Sequence, residues 1–105
     1  MLAAAKLSES GELYAQLGQM YLNMEQWEQA ITSSQQALEK GGLRNEGMAH
    51  LVMGMAKFNL GEFNQALNDL AKAQTFEGSR SIATQWKKFV EGEMKQYDTF
   101  ASVGI

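Results

Sequence analysis

Two stretches of the chain carry one pattern. The run Leu17-Gly18-x-x-Tyr21, then Trp27-x-x-Ala30 and Ala37, returns 36 residues later as Met53-Gly54, Phe63-x-x-Ala66 and Ala73. A fixed period of this size constrains the fold more than any other feature, because it is the signature of stacked helical hairpins whose apolar faces are buried only against neighbours. Each copy sets small residues among large apolar ones at helical spacing, which lets two helices approach closely and interlock. The pattern is structural and contains no chemistry.

Within each copy the residue order resembles the tetratricopeptide repeat, which runs W-x-x-L-G-x-x-Y, then an aromatic and an Ala-x3-F segment, with Pro near the end. In the first copy Tyr14 takes the Trp place, Leu17, Gly18 and Tyr21 follow in register, and Trp27, Ala30 and Ala37 complete the second helix, with Ser34 where a large residue is expected. In the second, His50 takes the Trp place and Lys57 the Tyr place, with Phe58 beside it, while Gly61, Phe63, Ala66, Leu70 and Ala73 fit. Neither copy has the closing Pro, since the chain contains none. The resemblance spans residues 11 to 80, and Trp86-x-x-Phe89 echoes the start of a third unit. It implies an all-α fold, an α-solenoid of two antiparallel hairpins with a C-terminal solvating helix. One domain, 1–105, would divide into an extension or upstream helix tail at 1–10, repeats at 11–46 and 47–80, and a capping helix and tail at 81–105.

Ser8 or Ser10 is the expected cap of a first helix carrying Leu13, Tyr14, Leu17, Met20, Tyr21 and Met24 on one stripe. The turn at 23–26 lacks glycine, so Asn23 or Glu25 is expected to take the left-handed conformation, which Gly61 supplies in the second copy. Gly41-Gly42 stops the second helix, and residues 41–46 are the expected place of the two residues beyond the usual period of about 34. Further helices are expected from Asn45 to Asn59, from Phe63 to Thr75 and from Arg80 to Thr99, with Ala101 to Ile105 frayed. Gly18 and Gly54 fit close helix packing inside helical patterns, and a similar contact is the reading for Gly92.

In such repeats the first helix of each hairpin lines a concave surface. The candidate partner-binding groove is Gln16, Gln19 and Asn23 from the first copy and Met48, Leu51, Val52, Met55, Phe58 and Asn59 from the second. The helix around 48–60 is apolar on all sides, so it must be covered all round or present a binding patch. Flexible Met48 and Met55 beside Phe58 suit an apolar or amphipathic helix. The alternatives are cover by the last helix, with its Trp86, Phe89, Val90, Met94 and Tyr97, or by a second chain or upstream repeats. Some family members clamp a C-terminal carboxylate with Lys, Asn and Arg, but Gln16, Gln19 and Val52 stand in that region here.

The remaining classes lack residues to carry them. A net charge of −3 gives no basic stripe for nucleic acid. Without cysteine there are no disulfides and no thiol chemistry, and the compartment stays open between cytoplasm and periplasm. No apolar run reaches the roughly 18 residues of a membrane span. His50, the single histidine, has Glu46 one turn before it, but it occupies the aromatic slot of the repeat and reads as core. No metal-ligand, P-loop, dinucleotide or nucleophile-elbow motif occurs. The expectation is a non-catalytic adaptor without cofactor or metal, binding a protein or peptide, with a homodimer as the alternative.

Overall fold

The computed structural model describes residues 11–102, with side chains up to residue 96. Among them the fold is all helix: α1 Glu12–Asn23, α2 Trp27–Lys40, α3 Glu46–Asn59, α4 Phe63–Gln74 and α5 Arg80–Ser102. The expected cap at Ser8 or Ser10 lies outside the described residues. Gly11 begins α1 instead: its carbonyl accepts the Ala15 N–H, and its own N–H donates to the Gly41 carbonyl at 2.6 Å, tying the start of α1 to the end of α2. The last helix continues past Thr99 to Ser102, so Ala101 is helical where fraying was expected.

Both tight turns close in the same way. Gln26 N–H reaches the Tyr21 carbonyl and Glu25 N–H the Leu22 carbonyl, while Glu62 and Gly61 repeat these bonds onto Lys57 and Phe58. This is the paired-bond ending in which the residue after the helix turns left-handed. Glu25 takes that conformation in the first hairpin (φ 60°) and Gly61 in the second (φ 82°).

The two additional residues of the first period are not in the loop. Connections Gly41–Asn45 and Thr75–Ser79 have the same length. The helices α2 and α3 have 14 residues against 12 in α1 and α4, so the longer spacing between motifs is accumulated in helix.

Three buried clusters hold the stack together. Tyr14, Leu17 and Ala37 close the first hairpin, and Ala30, Val52 and Ala56 join it to the second. Leu51, Leu70, Ala73, Ala83 and Val90 fasten α5 onto α3 and α4. Small residues set the spacing. A Cβ on Gly18 would stand 2.6 Å from the Ser34 hydroxyl, and one on Gly54 2.8 Å from Leu70 Cδ2.

Two sequence expectations give way here. Met20 and Met24 are 47% and 56% exposed, outside the stripe assigned to them. The α1 contact is centred on Tyr14, Leu17 and Gly18, and Met20 is rotated about 200° from Gly18. Met24 caps the helix beyond its last turn. Gly92 touches nothing: a Cβ there would meet no atom within 4 Å, so close packing does not explain it.

Candidate functional site

Helix α3 packs beside α1 and α5 beside α3, while α2 and α4 pack against them. Because α5 follows a connection of the same length as the one before α3, its residues can be matched to those of α3 from their first turns. Ala83 and Val90 then hold the positions of Ala49 and Ala56, and all four are buried, Ala56 with Ala30 of the first hairpin and Ala83 and Val90 with Leu51, Leu70 and Ala73 of the second. Trp86 matches Val52 in this register, so the echo of a third unit is shifted from the one its Trp-x-x-Phe spacing suggested. Ile82 and Phe89 match Met48 and Met55.

Between α1 and α3 lies a cleft of about 180 Å³. Gln16, Gln19, Asn45 and Met48 stand at its walls, Ala15, Ala49 and Val52 line its apolar part, and Glu12 and Arg44 edge it. The Arg44 backbone N–H donates to Glu12 Oε1 at 2.6 Å, which fixes the α2–α3 connection against the first turn of α1. Along α3 toward α5 the surface becomes apolar: Met48, Met55 and Phe58 are half-buried, while Ile82 and Phe89 are 44% and 50% exposed. Phe58 is the centre of an aromatic group, with ring centroids 5.5 Å from Phe63, 5.8 Å from Trp86 and 5.2 Å from Phe89.

The candidate groove residues therefore separate. Gln16, Gln19 and Met48 come together at the cleft. Met55 and Phe58 lie on the side toward α5, and Asn23 and Asn59 are exposed at helix ends, with Asn59 Nδ2 bonded back to the Met55 carbonyl. Leu51 is corrected: at 1% exposure it is core, beneath α5, while Val52, 2% exposed and packed against Ala30 and Ala56, belongs to the core and meets the cleft only as part of its apolar lining. The last helix covers much of the all-round apolar surface of α3. Phe89 was legible only as a residue of the capping helix, because no spacing within that helix says which side of it is left open. Of the two neighbouring lysines on that helix, Lys88 is exposed and Lys87 is half-buried.

An ion pair and a buried imidazole nitrogen lie between α3 and α4. Lys57 Nζ pairs with Asp69 Oδ2 at 2.7 Å, their side chains 14% and 5% exposed. His50 stacks on Phe76, centroids 6.0 Å apart, and its Nδ1 is buried without a hydrogen-bond partner. Burial lowers its pKa below 6.5; Lys72 lowers it further, against the opposing influence of Asp69 and Glu46. A stacked imidazole with no bonded carboxylate is placed for packing rather than proton transfer. Among the described residues no three His, Asp or Glu side chains are grouped to hold a metal ion, and no helix is long and apolar enough to cross a membrane.

The family model of the tetratricopeptide repeat matches residues 11–39, which span α1 and most of α2. No curated protein and no solved structure matches the chain.

Proposed function

Since the chain carries a tetratricopeptide repeat, a unit that generally serves protein–protein interaction, we propose that it is a non-catalytic adaptor that docks a segment of another protein on the concave side of α1, α3 and α5. The observation that carries this reading is the cleft of Gln16, Gln19 and Met48, with the partly buried Met55 and the half-exposed Phe89 further along the same row of helices. Packed helices hold these side chains before a partner arrives, so the host loses little ordering entropy on binding. The residues at the surface offer amide, thioether and aromatic contacts and no activated nucleophile.

Affinity capture from an extract of the source organism tests it. The native chain is compared with the Gln19→Lys, Met48→Lys variant, both confirmed as folded by circular dichroism. A protein retained by the native chain and lost from the variant is the expected result. Equal retention by both excludes the concave side as the docking surface. The exposed Ile82 and Phe89 favour one second reading, in which another copy of the chain covers that side. A monomer mass that stays constant in light scattering over a concentration series excludes it.

A further inference from the structure

We infer that the segment received on this concave side is a basic amphipathic helix, an inference that rests on the adaptor reading above. The apolar part of the surface is two helices wide. Met48 and Met55 on α3 and Ile82 and Phe89 on α5 hold matching positions, and Gln85, Trp86 and Phe89 line a shallow, open depression. A surface of this width suits the apolar stripe of a helix, whose i, i+3, i+4 and i+7 side chains reach both rows at once. Thioether side chains re-pack around such a stripe, and the half-exposed Phe89 beside Trp86 supplies an aromatic anchor.

Charge selects the sign of the partner. Glu93 holds on α5 the position of Asn59 on α3, at the edge of the apolar rows, and Glu12 stands at the α1 end of the same side. Arg44 is the cation at that end, beside Glu12, and Lys88 points away from the rows on α5, in the position of Gly54 on α3. With a net charge of −3 on the chain, lysine or arginine flanking the stripe of a partner is attracted and carboxylates are repelled.

The test uses the full chain and three synthetic peptides, each long enough for four helical turns. One has leucines at i, i+3, i+4 and i+7 among lysines, one has glutamate for every lysine, and one has the lysine peptide's composition with the stripe scrambled. Titration calorimetry, with tryptophan fluorescence as a second readout, is expected to show saturable one-to-one binding of the lysine peptide and at least tenfold weaker binding of the other two. Phe89→Ser should weaken binding about tenfold. Glu93→Lys should weaken it severalfold at low salt and less at high salt, since exposed charges are screened. Equal binding of the glutamate peptide, or no change in Phe89→Ser, overturns the inference, as does a native chain that is already a dimer. If the lysine peptide does not bind while extract capture still yields a partner lost from the Gln19→Lys, Met48→Lys variant, the adaptor reading stands and this inference falls.

Discussion

The two hairpins share one backbone plan and fill it with different chemistry. Tyr21 and Ser33 in the first hairpin occupy the positions of Lys57 and Asp69 in the second; Ser34 faces Gly18 where Leu70 faces Gly54; and Glu25 takes the turn that Gly61 takes. The first hairpin closes with an aromatic ring and small hydroxyl residues, the second with a large aliphatic side chain and a shielded ion pair. What the repeat fixes is the distance between helix axes, and several side-chain sets fill that distance.

The largest expected effect lies in the ion pair. Asp69→Ala leaves the Lys57 ammonium, 14% exposed, without its counterion, and a shielded charge stripped of its partner costs about 3 kcal/mol. Replacing both residues, as Lys57→Met with Asp69→Leu, should recover most of that loss, because the desolvation of two charges disappears with their attraction. Urea denaturation of the native, single and double variants measures this. A double variant no more stable than the single one would show that the pair contributes net stability. Tyr21→Phe, at the matching place in the first hairpin, should stay within about 0.5 kcal/mol, as no charge is stranded there.

The glycines come next. Gly54→Ala drives a methyl against Cγ and Cδ2 of the fully buried Leu70, both at 2.8 Å, and overpacking of this kind costs about 1 to 3 kcal/mol. Gly18→Ala meets the Ser34 hydroxyl at 2.6 Å, an oxygen that is buried without a partner. In a Ser34→Ala background that oxygen is gone, and Gly18→Ala should then become neutral or gain up to about 1 kcal/mol from helix propensity. Thermal melts of the four variants decide it. If Gly54→Ala were as well tolerated as Gly18→Ala with Ser34→Ala, Leu70 would have to re-pack freely and the two hairpins would not differ in tightness.

How far the sequence reveals this molecule follows from which contacts are local. The hairpins were legible because Leu17-Gly18 and Met53-Gly54 keep register with Ala30 and Ala66, and a helix pair joined by a short turn meets at nearly fixed offsets. The strained turn was legible to within a choice of Asn23 or Glu25. What was not legible depends on the neighbour of an apolar face. Leu51 and Met55 lie on one helix and are both apolar, yet one is covered by α5 and the other half-open. Only the angle at which α5 arrives separates them, and no periodicity within α3 encodes it. Trp86 is similar, since its place in the third unit is set by where α5 begins and not by its spacing to Phe89.

A smaller effect is expected at the turns. Glu25 holds φ 60° with a full side chain, whereas Gly61 holds φ 82° at no steric cost. Glu25→Gly should therefore stabilise the first hairpin by up to about 1 kcal/mol, and Gly61→Ala should cost about as much in the second. Opposite signs of the two shifts in urea midpoint are the expected outcome. A loss in Glu25→Gly would mean that the glutamate side chain contributes more than its backbone strain costs.

The smallest difference concerns His50, which stands where the first hairpin has the buried Tyr14. Burial holds the folded-state pKa of His50 below 6.5, so the fold favours the neutral ring. Well above pH 6.5 the ring is neutral in both the folded and unfolded chain, and its contribution does not change. As pH falls below 6.5 the unfolded chain takes up the proton first, so stability is lost through that window until the folded state is protonated too. Carboxylates titrate lower and add their own slope, which is why the comparison with His50→Tyr matters. That variant copies the first hairpin's residue and should flatten the stability profile just below pH 6.5 while leaving the carboxylate limb at more acidic pH in place. Urea midpoints at half-unit pH steps measure it, and parallel profiles for the two chains would show that the imidazole keeps its proton equilibrium unchanged on folding, with the ring stacked on Phe76 still open to water.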